Sequence, residues 1–150
     1  MNVVAAPFGP VSYTDDEVIT FEDGLFGFEH LHRFVSVSGG SESLFSYLQS
    51  LDDASVTFVV CVPRNLFPEY HLTLPRHEAA GLDLSENDTP IVLAICTVPE
   101  KVEDITINLL GPLLINPKTK KGRQVIDQNP QFGTRHKVFS ETSGDLAAVG

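Results

Sequence analysis

Apolar positions along this chain come in short blocks separated by turn residues, and the blocks lack the 3.6-residue recurrence of an amphipathic helix. Strand-like runs occupy residues 18–21, 34–37, 44–49, 56–62, 70–74, 91–98, 105–115 and 123–126. Between them stand Ser38-Gly39-Gly40-Ser41, Asp52-Asp53, Pro63-Arg64-Asn65, Pro99-Glu100 and Asn116-Pro117, which break strands through their backbone preferences. Only residues 76–81 look helical, with Gly81 placed as a C-terminal cap. An all-β fold is predicted. The strand pattern by itself fits a sandwich or a barrel. Closing the sheet removes its edges most simply, so a small antiparallel barrel-like single domain over residues 1–139 is expected.

The segment from Asn108 to Ile126 is the most informative stretch. Asn108-Leu109-Leu110 and Leu113-Leu114-Ile115 are apolar runs interrupted by Gly111-Pro112, a pair that removes a ladder donor and permits a bulge. The strand should bend there. Residues 117–122 supply a turn, with Gly122 able to take positive φ, and Arg123 to Ile126 alternate like a strand with one buried face. A hairpin with a basic tip is the expectation.

At 150 residues the chain suits one domain with a sizeable core. A hydrophobic content of 42% is ordinary, and no apolar run approaches the length of a membrane span. The first ten residues have no signal-like pattern, so a cytoplasmic protein away from membranes is predicted. The polar stretch 140–150 is expected to be a disordered tail. Cys61 and Cys96 both lie in β-branched apolar runs and read as core thiols, without the spacing of a metal site or a disulfide framework.

Charge changes the picture more. The chain carries a formal charge of −10, and it is unevenly spread: residues 1–117 hold four basic and seventeen acidic side chains, residues 118–150 six basic and three acidic. An acidic body repels nucleic acid and speeds encounter with basic partners. Lys118, Lys120, Lys121 and Arg123 make direct nucleic-acid binding by the hairpin 118–123 the alternative reading, but a basic groove with exposed aromatics is missing from the pattern.

Candidate chemistry is sparse. His30, His32, His71 and His77 are scattered, and neither a convergent zinc set nor any cofactor motif is visible. Paired acids such as Asp15-Asp16-Glu17 and Glu22-Asp23 read as solvated turns, and no nucleophile motif occurs. The expectation is a non-enzyme without a cofactor. Two aromatic segments stand out instead, Leu25-Phe26-Gly27-Phe28 and Leu66-Phe67-Pro68-Glu69-Tyr70. Each places several large apolar side chains on a short turn, where they either anchor a partner or plug a barrel end.

Three motifs in order, Phe21-Glu22-Asp23-Gly24-Leu25-Phe26-Gly27-Phe28, then Leu66-Phe67-Pro68-Glu69-Tyr70-His71-Leu72, then Asn108 to Asn116, resemble the bacterial flagellar assembly factor family FliW. Gly111 stands where that family more often has Ala, and Phe26 where a smaller residue or Pro is common. The resemblance implies a β-barrel-like fold and two partners, the translational regulator CsrA and flagellin. It further implies allosteric antagonism of CsrA, coupling flagellin translation to filament assembly, by a chain that is monomeric when free. Partner contacts are expected at Phe26, Phe28, Phe67, Pro68, Glu69, Tyr70, Asn108, Pro112 and Asn116.

Overall fold

The computed structural model describes residues 2–40, 43–72, 81–85, 87–127, 129 and 131–138. The expected helix over 76–81 and the tail 140–150 fall wholly or mostly outside them. Eleven strands are described: β1 (Asn2–Ala6), β2 (Gly9–Tyr13), β3 (Ile19–Phe21), β4 (Arg33–Ser38), β5 (Phe45–Ser50), β6 (Thr57–Cys61), β7 (Ile91–Thr97), β8 (Thr106–Ile107), β9 (Leu113–Ile115), β10 (Lys121–Gln124) and β11 (His136–Lys137). One α-helical turn, α1 (Pro63–Leu66), follows β6. Pro63 occupies its first turn, where a missing N–H costs nothing, so the expected breaker is a helix start.

Seven strands close into a barrel in the order β7-β6-β5-β4-β3-β10-β9, with β9 returning to pair with β7. The expected barrel is therefore present. One pairing departs from the antiparallel expectation: β10 runs parallel to β3, with Lys121 opposite Thr20 and Gly122 opposite Phe21. At that closure a side chain on Gly122 would lie 2.6 Å from the Phe21 ring. Gly122 thus serves close approach within a strand, and positive φ in the preceding turn falls on Lys120 (φ 61°).

β8 and β9 run along the same side of β7 but out of register. Cys96 pairs with Ile107 and Leu93 with Leu113, so residues 108–112 oppose only Ala94 and Ile95. This bulge lies where Gly111-Pro112 indicated a bend. β9 and β10 form the expected hairpin, with Gly122 opposite Ile115 and Gln124 opposite Leu113.

Alternation along β6 and β7 feeds two cores. Val60, Leu93 and Ile95 point into the barrel with Ile19, Phe21, Leu25, Leu31, Phe34, Leu48, Leu113 and Ile115. Val59, Cys61, Val92, Ala94 and Cys96 point outward into a second cluster beneath α1, Phe67, Tyr70, Leu72, Phe132 and Val138. Both faces are covered, and that is why these strands read as continuous apolar runs. The run over 70–74 is not a strand at Tyr70, His71 or Leu72. Strands β1, β2 and β11 were not expected; Phe8 at the β1–β2 tip rests on Tyr47 of β5, ring centroids 5.4 Å apart.

Candidate functional site

The first aromatic segment is a rigid loop between β3 and β4. Gly24 (φ 68°) and Gly27 (φ 84°) turn the chain, and a Cβ on Gly24 would lie 2.5 Å from the Glu29 backbone. Leu25 and Phe28 exchange backbone hydrogen bonds of 3.3 and 2.7 Å. Leu25 is buried in the barrel, and Phe28 stands edge-on to Phe58 at 5.1 Å. Phe26, between them, points outward and is 54% exposed. The loop is pinned by Gln124 of β10: its Oε1 accepts from Phe26 N–H at 2.7 Å, and its Nε2 donates to the Gly111 carbonyl at 2.8 Å. One buried amide joins the first motif to the bulge of the third. Ile126, just beyond Gln124, is 51% exposed, and Asp127 N–H donates to the Leu110 carbonyl at 2.8 Å.

The second segment leads inward. Tyr70 is buried, packs tilted against Phe132 with ring centroids 4.7 Å apart, and its hydroxyl donates to Asp127 Oδ2 at 3.4 Å. Burial first, then the Asp127 charge, pushes the Tyr70 hydroxyl well above the usual tyrosine range. Phe67 is half-buried against His136, whereas Pro68 and Glu69 are exposed.

In the third segment the residues face the backbone. Asn108, half-buried, accepts at Oδ1 from Leu110 and Gly111 N–H at 3.1 and 2.9 Å, fixing the bulge. Pro112 is buried in the chain. Asn116 is 2% exposed; its amide donates to the Leu82 carbonyl at 2.8 Å, and its Oδ1 accepts from Lys118 N–H at 3.0 Å. Of the nine residues expected at partner contacts, Tyr70, Pro112 and Asn116 thus serve the interior of the free chain, and Phe26, Pro68 and Glu69 are the exposed ones. Gln124, Asp127 and Ile126 were missed by sequence reasoning. No local pattern marks Gln124, because the loop it pins lies 98 positions away.

Three of the four hairpin cations face carboxylates. Lys118 Nζ lies 3.1 Å from Asp88, Lys121 Nζ 3.8 Å from both Glu22 and Asp83, and Arg123 3.4 Å from Asp23. Cations already facing carboxylates make a poor phosphate track, which weakens the nucleic-acid reading. Asp52 is likewise occupied: it accepts from the N–H groups of His32 and Arg33 at 2.7 and 3.0 Å and from the Arg33 guanidinium at 3.0 Å. Partial burial raises its pKa, but these bonds outweigh it and hold the carboxyl below the usual range. Asp52 clamps β4 to the turn after β5.

Among the described residues no three His, Cys, Asp or Glu side chains converge as a metal-binding group. His32 Nδ1 lies 3.0 Å from the Phe21 carbonyl, and the His30 ring stacks on Phe28 at 6.5 Å; His77 is outside the described residues. The Cys61 and Cys96 sulfurs sit 3.6 Å apart as free thiols in the outer cluster. Their shared S–H and burial push the Cys61 thiol far up, away from a reactive thiolate. No described helix is long and apolar enough to cross a membrane.

A closed seven-stranded barrel with a filled interior places the chain in the class of small all-β barrel domains. Comparison with known proteins makes this specific. The family model described as "FliW protein" matches residues 2–138. Flagellar assembly factor FliW of Desulfitobacterium hafniense is 37% identical over 150 residues, covering 100% of this chain and 99% of the relative. That of Natranaerobius thermophilus is 32% identical over 142 residues, covering 94% of each. A crystal structure of the flagellar assembly factor FliW superposes with a TM-score of 0.86 at 28% identity, over 94% of this chain and 99% of that one. The chain belongs to the FliW family of flagellar assembly factors.

Proposed function

We propose that this chain works by binding proteins in the cytoplasm: it sequesters the translational regulator CsrA, and flagellin competes by binding the chain itself. Free flagellin then withdraws the antagonist, and flagellin export releases it, so translation follows filament growth. One observation supports a docking role above all others. Phe26 is exposed on a loop that two glycines and the Gln124 amide hold in one conformation. An aromatic presented without conformational freedom is a favourable interface anchor, because little entropy is lost on docking. The acidic body speeds encounter with a basic regulator, while apolar contact sets the lifetime.

The test is calorimetric titration of the purified chain with CsrA and, separately, with flagellin. Both should bind the wild type. Phe26→Ala should keep its melting temperature yet weaken one of the two partners by about 2 kcal/mol or more. Antagonism is allosteric in this reading, so a ternary complex with CsrA and RNA is expected; strict mutual exclusion at every concentration would replace it with competition for the RNA face.

A further inference from the structure

A second surface feature lies apart from the Phe26 loop and shares none of its residues. Behind α1 a cavity of about 300 Å³ is lined by Val62, Pro63, Arg64, Tyr70, His71, Leu72, Pro90 and Val92. Its walls are apolar, built on the exposed Val62, the half-buried Leu72 and Val92, and the buried Tyr70. Val62 is 40% exposed, so apolar area at this mouth is open to water. Arg64 is the charged wall. Residues 1–117 contain only four basic side chains. Arg33, on β4, is spent on Asp52, whereas Arg64 makes no ion pair with any described residue. A guanidinium without an ion-pair partner among the described residues, beside an apolar concavity, is complementary to a ligand that is both apolar and anionic.

We infer that this cavity docks a peptide segment of a partner protein, placing a large aliphatic side chain against Val62, Leu72 and Val92 and a neighbouring carboxylate on Arg64. The inference deepens the binding reading above by giving a ligand chemistry to the second aromatic segment. It also separates the surfaces by charge. A basic regulator is drawn to the acidic body, and an acidic amphipathic segment is drawn here.

The experiment titrates isotope-labelled full-length chain with the acetylated, amidated peptide Leu-Asp-Glu-Leu-Leu-Asp-Glu-Leu and follows amide shifts by NMR. Shifts should concentrate at Val62, Arg64, His71, Leu72 and Val92. Replacing the acids by Asn and Gln should weaken binding at least tenfold, as should Arg64→Glu, an exposed site where folding is unaffected. Val62→Ser, also exposed, should weaken it severalfold while leaving the charge preference intact. Equal affinity for acidic and neutral peptides, shifts mapping elsewhere, or no binding would overturn the inference. Concentration-dependent shifts at these residues without peptide would assign the cavity to a second copy and overturn it too. None of these readouts depends on CsrA or flagellin, whose failure to bind would sink the functional reading separately.

Discussion

The two apolar clusters that share β6 and β7 are built under different constraints. Inside the barrel, hydrogen-bonded strands surround the cluster, and rings such as Phe21 and Phe34 meet edge-to-face at 5.6 Å with no exposure. Strand ladders satisfy the backbone around it, so the side chains there are free to be apolar. The outer cluster is roofed by α1, residues 67–72 and residues 132–138, and irregular chain must find its hydrogen-bond partners one at a time. Leu109 and Leu110 N–H both donate to the Gly133 carbonyl at 3.0 Å, and Gly133 N–H donates to His136 Nε2 at 2.6 Å. Polar side chains are consequently drawn inward, the Tyr70–Asp127 pair among them. The barrel interior supplies rigidity; the outer cluster supplies the surface on which shape and charge vary.

The largest expected effect lies inside. Phe34→Ala should cost about 3–5 kcal/mol, since a fully enclosed ring leaves a cavity that ladder-bonded strands cannot collapse around. Urea unfolding measures it, and a loss near 1 kcal/mol would mean that the interior is not the stiffer region. Phe67→Ala in the outer cluster should cost only about 1–2 kcal/mol, because the ring is half-exposed already. Hydrogen exchange should quicken in α1 and β11 and leave β4 to β6 protected; uniform quickening would join the two clusters into one cooperative unit.

Alkaline titration distinguishes the regions through their polar groups. Burial, followed by the Asp127 charge, holds the Tyr70 proton on in the folded chain past the usual value of about 10. The unfolded chain therefore loses that proton first. Stability from this group is complete below pH 10 or so and declines as pH rises toward the folded value. Tyr70→Phe should lose about 1 kcal/mol at neutral pH and show a shallower alkaline decline, measured by denaturant melts between about pH 8 and 11. An unchanged alkaline slope would remove Tyr70 from the account. The smallest effect is expected at the join. A Cβ on Gly111 would lie 3.0 Å from Gln124 Nε2, so the amide must give by a few tenths of an ångström while keeping both hydrogen bonds, and Gly111→Ala should then stabilise by about 0.5 kcal/mol. A loss of about 1 kcal/mol or more would show that the Gln124 clamp does not yield even that far.

Local pattern carried much of this fold. Strands β4 to β7, the bend at Gly111-Pro112 and the β9–β10 hairpin follow from alternation and turn chemistry that act over a few residues. Their family resemblance was legible for the same reason, because all three motifs are contiguous. The β1–β2 hairpin was legible in principle: Val4 and Ala6 alternate with exposed neighbours ahead of the Pro7-Phe8 turn. Its short strands carry too few large apolar side chains to stand out. Residues 70–72 misled because apolar content indicates burial, and Tyr70 is buried beneath irregular chain rather than in a ladder.

By itself, then, the sequence determined the all-β class, the strand runs of the central sheet, the acidic body and the three family motifs, since each depends on neighbours in the chain. Tertiary structure alone decided that β10 closes the ring parallel to β3, and that β8 and β9 share β7 across a five-residue bulge. It also decided which of the conspicuous residues reach the surface. Phe26 and Asn116 look equally available in a one-dimensional reading, yet one is 54% exposed and the other 2%. The physical reason is that exposure depends on contacts between distant segments, here a Gln124 amide joining positions 26 and 111 and a Leu82 carbonyl received by Asn116.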